Sequence, residues 1–307
     1  MHKIIDFHSH LGDIFAYEKN VIFKKNVEID KSKHNPFDAF SKKGFEGPFM
    51  DPDNPEEVQN IIDMTAAASW ANTLEKLQVA LDNTKIEYVC LYPVEPFISF
   101  DDYLAVSKLE KRILPFTSVD WRDRDVMRIK KKLMDDFKRG AYGLKIHPIL
   151  QSISLRDPIV EEVLDTWATT DLPIVTHCGE NSYYPDGMKH LEVPEYGNVE
   201  DFIYLLKKMP HVKFVAAHCG GLGPGSMEVL AKECAGMENL WVDTTFRSAV
   251  EIKTMVELFG EDRVLFGVDR PFGGSEESVA TCSKALSFDE EVSKKVMYDN
   301  AHKLIKL

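Results

Sequence analysis

His8-Ser9-His10 closes an apolar run at the start of the chain. Side chains alternate along a strand, so His8 and His10 point to the same side. Two imidazoles side by side at a strand end can share one metal ion. Three later strand-like runs end in the same chemistry, at His177, His218 and Asp269, and a fourth ends at His147. Five of the ten histidines therefore sit at predicted strand ends, with Asp269 beside them. Packing does not explain such a set; a metal site does. Imidazole and carboxylate ligands suit Zn²⁺, with Mn²⁺, Fe²⁺ or Co²⁺ as alternatives. A catalytic site keeps one position open for water, and the ion lowers that water's pKa from 15.7 toward about 7. His2, His34, His190, His211 and His302 carry no assigned role and are expected mostly at the surface.

The elements that must position these groups are eight short apolar, β-branched runs. They span 3–8, 86–92, 113–119, 142–147, 173–177, 212–218, 240–244 and 263–268. Helical spacing separates most of them. Trp70, Leu74, Leu77 and Leu81 form one stripe, and Val160, Val163, Leu164 and Trp167 another. The second opens with Asp157-Pro158, an N-cap followed by proline at the first helical position. Phe202, Leu205 and Leu206 make a third stripe after Asn198, and Ser287 and Glu290 have capping-box spacing. Strand then helix, eight times over, is the pattern of a (β/α)8 barrel. Strand ends of a closed barrel converge on one mouth, which brings the histidines together.

A barrel of this kind needs about 250 residues, so some sequence is left over. The surplus lies in residues 11–60, after the first strand, and 179–197, after the fifth. The first stretch does not read as regular structure and contains Gly44, Gly47, Pro48, Pro52 and Pro55. Both stretches emerge at the mouth and are expected to act as lids or substrate walls. The whole chain, 1–307, reads as a single barrel domain with 11–60 as a lid insertion. A doubly wound sheet needs a glycine-rich turn after a strand. Gly220-Gly221-Leu222-Gly223-Pro224-Gly225 lacks the dinucleotide spacing, which argues against a nucleotide-dependent oxidoreductase.

Bulk properties narrow the partners. A net charge of -13 argues against nucleic acid and anionic membranes. No apolar stretch approaches the roughly 18 residues of a membrane span. The five cysteines are an odd number without paired spacing, so they are expected as reduced thiols in a cytoplasmic protein.

Asp6-Phe7-His8-Ser9-His10, Lys145-Ile146-His147-Pro148, Thr176-His177, Ala217-His218-Cys219-Gly220 and Gly267-Val268-Asp269 together resemble the amidohydrolase superfamily. More narrowly they resemble its amidohydrolase-2 branch, which includes aminocarboxymuconate-semialdehyde decarboxylase and related hydrolases. The resemblance implies that His8, His10, His177 and Asp269 bind one metal ion. It implies that His218 holds or deprotonates the metal-bound water, with a fifth ligand as the alternative, and that Asp269 also accepts a proton from that water. It further implies a homodimer.

Asp6 has the parity of His8 and is expected inside the barrel one layer below, where a buried carboxylate suits support of a ligand histidine. Lys145 shares parity with His147 and points into the barrel. It is open to three readings: a carboxylated bridge between two metals, a free ammonium for a substrate carboxylate, or an internal ion pair. The one-metal resemblance favours the second or third. His147 is expected at the substrate. Arg247 and Arg270 follow strands 7 and 8, and a guanidinium fork suits a carboxylate; bracing of a loop is the alternative for each. Trp70, Tyr92, Tyr183 and Tyr184 are candidates for packing an aromatic substrate or for core and lid packing.

These readings converge on a metal-dependent hydrolase attacking an amide, ester or lactone carbonyl of a small, acidic substrate. The rival is a non-oxidative decarboxylase of an aromatic or muconate-like acid, since both chemistries use one metal cradle. An inactive metal-binding protein is disfavoured, because every expected ligand and the base are present. Protein purified without added metal is expected to carry close to one ion per chain by plasma mass spectrometry. Two ions would move Lys145 into the site as a carbamate.

Overall fold

Each of the eight apolar runs forms a parallel strand: β1 Ile5–Ser9, β2 Tyr88–Leu91, β3 Ile113–Pro115, β4 Leu144–Ile146, β5 Ile174–Thr176, β6 Phe214–Ala216, β7 Leu240–Asp243 and β8 Val264–Leu265. The computed structural model describes residues 3–17, 20–30, 32–51, 53–223 and 225–307. His2, Pro52 and Pro224, noted in the sequence, lie outside the described residues.

The strands pair in chain order as β1-β2-β3 and β4 to β8. Backbone bonds close the two arcs into a ring. Between β3 and β4, Thr117 N donates to Gly143 O at 2.8 Å and Lys145 N to Thr117 O at 2.8 Å. Between β8 and β1, Phe7 N donates to Phe266 O at 2.8 Å and Asp269 N to His8 O at 2.6 Å. The result is the expected (β/α)8 barrel. Among the described residues no helix is long and apolar enough to cross a membrane.

Alternation sorts the strand residues. Leu144, Ile146, Ile174 and Phe214 face outward onto helical Val160, Val163, Leu164, Trp167, Phe202 and Leu206. Ile5, Phe7, Cys90, Leu114, Phe116, Val175 and Val215 fill the barrel, closed below by Ala301, Leu304 and Ile305. β1 breaks the alternation. Its register runs Ile5 to Tyr88, Asp6 to Val89, then Ser9 to Leu91, an extra residue on β1. That bulge puts Phe7 inside the barrel and still turns His8 inward. Asp6 therefore does not share the parity of His8, which corrects the expectation that it lies inside one layer below.

The helices follow the predicted caps with one exception. Asp157 caps the helix Pro158–Ala168, and Asn198 caps Val199–Lys208. Ser287 and Glu290 do not form a capping box; Asp289 caps Glu290–Lys294 instead, accepting from the Glu291 and Val292 amides. Trp70 ends the helix Pro55–Trp70, whereas Leu77 and Leu81 belong to Leu74–Thr84, so the stripe joins two helices. Residues 11–60 also hold regular structure. Asn35 and Asn54 cap the helices Pro36–Lys42 and Pro55–Trp70, each with proline in the first turn. Residues 179–197 contain two short 3-10 turns, Asp186–Leu191 and Pro194–Gly197.

These two stretches pack together over the mouth. Phe15, Phe37, Phe40, Phe45 and Tyr184 share one core with Phe246 and Phe272, which follow β7 and β8. Ring centroids lie 5.8 Å apart for Phe15 and Phe272, 5.1 Å for Phe15 and Tyr183, and 6.2 Å for Phe45 and Phe246. Each such pair adds about 0.5–1.5 kcal/mol beyond area burial.

The glycine run after β6 is a turn, with Gly221 seated on Gly179. A Cβ at Gly221 would lie 2.7 Å from Gly179 Cα, which explains glycine there. Gly267, just past β8, is equally confined. A Cβ on it would lie 2.9 Å from Thr245 Cγ2 and 3.0 Å from His8 Cβ. Gly267→Ala is expected to destabilise the fold by about 1–3 kcal/mol through overpacking. Urea unfolding checks this; an unchanged midpoint would show that the rim has room to give.

Candidate metal centre

The barrel brings His8, His10, His147, His177, His218 and Asp269 to one mouth, all of them buried. His8 Nε2 and His10 Nε2 lie 3.6 and 3.4 Å from Asp269 Oδ1. His218 Nε2 lies 4.0 Å from Asp269 Oδ2 and 3.2 Å from His177 Nδ1. His8, His218 and Asp269 offer ligand atoms all within 4.8 Å of one another. His147 stacks on His177, with centroids 4.1 Å apart and planes 8° apart.

The strand ends that carry these groups bend sharply. His218, Cys219, Phe246 and Asp269 all have φ between 48° and 62°. Left-handed backbone costs a non-glycine residue about 1–2 kcal/mol. The strain buys direction: it turns side chains from successive strands toward one point.

Hydrogen bonds assign the tautomers. His8 Nδ1 donates to Asp243 Oδ2 at 2.9 Å, and His10 Nδ1 to the Tyr92 carbonyl at 2.8 Å. His177 Nε2 donates to the Gly179 carbonyl at 3.1 Å. His218 Nδ1 faces Thr245 Oγ1 at 2.7 Å, and that hydroxyl donates to Asp243 Oδ1 at 2.6 Å, so His218 is the donor in the first contact. Each neutral ring thus keeps one bare nitrogen. The bare nitrogens of His8, His10 and His218 turn toward Asp269, and that of His177 faces His218. Asp269 Oδ1 is buried and has no hydrogen-bond partner among the described residues. Lone pairs that face each other without a proton between them repel. A cation is what satisfies this set, so the residues present fit a divalent ion.

Electrostatics agree. Burial holds the His8, His147 and His218 rings well below the usual imidazole range, and Lys145 adds to it. Burial, then Lys145, takes His10 and His177 down to about 3. Burial pushes Asp269 well above the carboxylate range, while Lys145 pulls it back. Lys145 itself is fully buried, and its Nζ has no hydrogen-bond partner among the described residues. Desolvation brings its pKa down to about 8, against the pull of Asp269 and Asp243.

Other expected site residues sit elsewhere. Asp6 does not touch a ligand ring. It accepts from the His8 and Val268 amides at 3.1 and 3.0 Å and from Ser9 Oγ at 2.5 Å, and so ties β1 to β8. Arg247 is committed to bracing: it donates to the carbonyls of His218 and Gly221 and to Glu251. Arg270 is half-buried, with an Nε that has no partner among the described residues. Trp70 lies at the surface beneath Lys24. Tyr92 is in the barrel floor, its hydroxyl on the Phe7 carbonyl. Tyr184 is roof core, bonded to the Phe15 carbonyl at 2.7 Å. Tyr183 does reach the site, its hydroxyl 3.2 Å from His177 Nε2. All five cysteines are free and buried.

Asp243 and Thr245 were not singled out from sequence. Their signal was available, since Asp243 ends β7 as His177 and Asp269 follow β5 and β8. Asn72 was also missed; its Nδ2 donates to the carbonyls of His10 and Gly12, each at 3.1 Å, and holds the His10 strand end.

The sequence pattern of the amidohydrolase family matches residues 5–307. The chain belongs to the amidohydrolase family. It is thereby placed among metal-dependent hydrolases and carboxy-lyases. Solved structures resemble this amidohydrolase over nearly its whole length at low identity. An uncharacterized TIM-barrel protein from Bordetella bronchiseptica is 16% identical, with a TM-score of 0.68, covering 99% of this chain and 98% of its own. A dihydroxybenzoic acid decarboxylase from Polaromonas, solved with manganese and the inhibitor 2-nitroresorcinol, is 15% identical, with a TM-score of 0.64 and coverage of 100% and 98%. A probable 2-pyrone-4,6-dicarboxylic acid hydrolase from Acinetobacter baumannii, with citric acid bound, is 12% identical, with a TM-score of 0.60 and coverage of 99% and 100%. No curated protein matches the chain in sequence.

The buried rings give a pH dependence with a definite sign. For His10 and His177 the folded pKa of about 3 lies below the ordinary 6.5, so the unfolded amidohydrolase takes up protons first as pH falls. Their contribution is intact above about pH 6.5 and is lost progressively toward pH 3. Asp6, raised to about 7 by burial, and Asp269, pushed well above the carboxylate range by burial, work in the opposite direction, losing their contributions as pH rises from 3.8 upward. The five lowered rings, His8, His10, His147, His177 and His218, outnumber them. Metal-free protein is therefore expected to lose stability by at least about 1 kcal/mol per pH unit between pH 6 and 4. Urea midpoints across that range check it; a flat profile would mean the rings are charged in the fold.

Proposed function

We propose that this amidohydrolase hydrolyses an ester, lactone or amide of a small acidic substrate with one divalent ion, zinc by ligand type or manganese. His8, His10, His177 and Asp269 hold the ion. The ion supplies Lewis acidity, making water acidic near neutral pH and polarising a carbonyl oxygen. His218 accepts the proton of the attacking water at its bare Nε2, and Asp269 stands beside it to take or return a proton. Lys145 pairs with a substrate carboxylate, since a buried, unpartnered ammonium needs an anion. Tyr183 and His147 line the approach, and the aromatic roof formed by 11–60 and 179–197 encloses a planar substrate and keeps bulk water out.

The observation that carries hydrolysis is the protonation pattern. His218, the ring that does not hold the ion, keeps a bare Nε2 toward the centre and has no proton to offer there, as activation of water requires. A second reading, decarboxylation of an aromatic acid, is favoured by Lys145, which is the proton donor that departing carbon dioxide would call for, and by the aromatic roof. A second ligand assignment is favoured by the mutual proximity of His8, His218 and Asp269, which would make His218 a ligand.

Turnover in ¹⁸O-water with a panel of pyrone lactones and hydroxybenzoates separates the reactions. Hydrolysis is expected to place one solvent oxygen in the new carboxylate with no carbon dioxide released. Carbon dioxide release with unlabelled product would overturn it in favour of decarboxylation. His177→Ala is expected to lose the ion and His218→Ala to keep it while losing at least about 100-fold in kcat; the reverse would make His218 the ligand.

A further inference from the structure

We infer that Thr245 is a positioning residue whose hydroxyl, anchored on Asp243, locks His218 in the one tautomer that leaves Nε2 bare toward the metal centre. A threonine hydroxyl has a single proton to give. Asp243 Oδ1, 2.6 Å away, is a carboxylate acceptor and takes it. The 2.7 Å contact from the same oxygen to His218 Nδ1 must then run from the ring to the hydroxyl. An aliphatic residue at 245 could not enforce this, and a direct contact with the carboxylate is not what the geometry provides.

The anchor is over-determined. Asp243 is fully buried, and its Oδ1 also accepts from the His218 amide at 3.1 Å and the Thr245 amide at 3.2 Å. Backbone and side chain of both residues therefore hang on one oxygen. The other oxygen, Oδ2, holds His8 Nδ1 at 2.9 Å. One carboxylate on β7 thus sets the tautomers of rings on β1 and β6, directly for His8 and through Thr245 for His218. The Thr245 methyl lies beside Gly267, where a Cβ would come within 2.9 Å of it. This role is the same whether the site hydrolyses or decarboxylates.

The test uses the full-length, metal-free protein with ¹⁵N-labelled histidine. Long-range ¹H–¹⁵N correlation reads the tautomer of His218, assigned by its loss in His218→Gln. The wild type is expected to show the proton on Nδ1. Thr245→Val, which keeps the shape and removes the hydroxyl, is expected to show the Nε2–H tautomer populated. In the metal-loaded protein it is also expected to lower kcat on the substrate found by the panel by about 10- to 100-fold while leaving the ion bound, since His218 is the base and not a ligand. Thr245→Ser restores the hydroxyl and is expected to return both readouts to within about twofold of wild type, which loss of packing alone would not do. A wild-type signal with the proton on Nε2 overturns the proposal whether or not the variants fold. So does a folded Val variant with unchanged tautomer and kcat, or a Ser variant that behaves like Val.

Discussion

Electron pairs pointing at one another govern this structure. Four imidazole nitrogens and a carboxylate face a common centre, each ring having given its only proton to a partner on the far side. Such an arrangement is unfavourable without positive charge in the middle. It persists because the partners, Asp243, the Tyr92 carbonyl, the Gly179 carbonyl and Thr245, are themselves fixed by strands. Among the described residues Lys145 is the one buried ammonium that bears on all of them, and it lowers every ring's readiness to take a proton.

The barrel exists, in this light, to hold repelling groups together. Left-handed backbone at Phe246 and Asp269 goes with Phe246 and Phe272 entering a large aromatic core. Arg247 pins the His218 and Gly221 carbonyls from outside, and Asn72 pins His10. Asp6 stitches β1 to β8 through backbone amides rather than through a ring. Much of the chemistry that looks catalytic in composition is therefore scaffolding, one step removed from the centre.

The strands and their terminal histidines were legible because hydrophobic runs and a polar terminus are local signals. The helices in 11–60 were less so, although Asn35-Pro36 and Asn54-Pro55 are the same cap-and-proline signal that was read correctly at Asp157-Pro158. Charged and glycine-rich surroundings hid them. Asp6 was misplaced because parity counting fails across a bulge, and a bulge has no reliable one-dimensional mark. Asp243 and Thr245 escaped because their importance lies in which rings they meet, 235 residues away for His8. The fate of Arg247 was equally invisible: a guanidinium after a strand end reads alike whether it meets a substrate or a carbonyl.

The β1 bulge has a consequence for traffic. By admitting Phe7 beneath His8, it lays a dry floor of Phe7, Tyr92, Phe116, Val175 and Val215 directly under the ionic centre, with the C-terminal helix sealing the lower end. Matter then enters and leaves by the upper side alone, past Tyr183 and the aromatic roof. Substrate and product then share that side of the centre, and the apolar floor offers neither of them a polar partner.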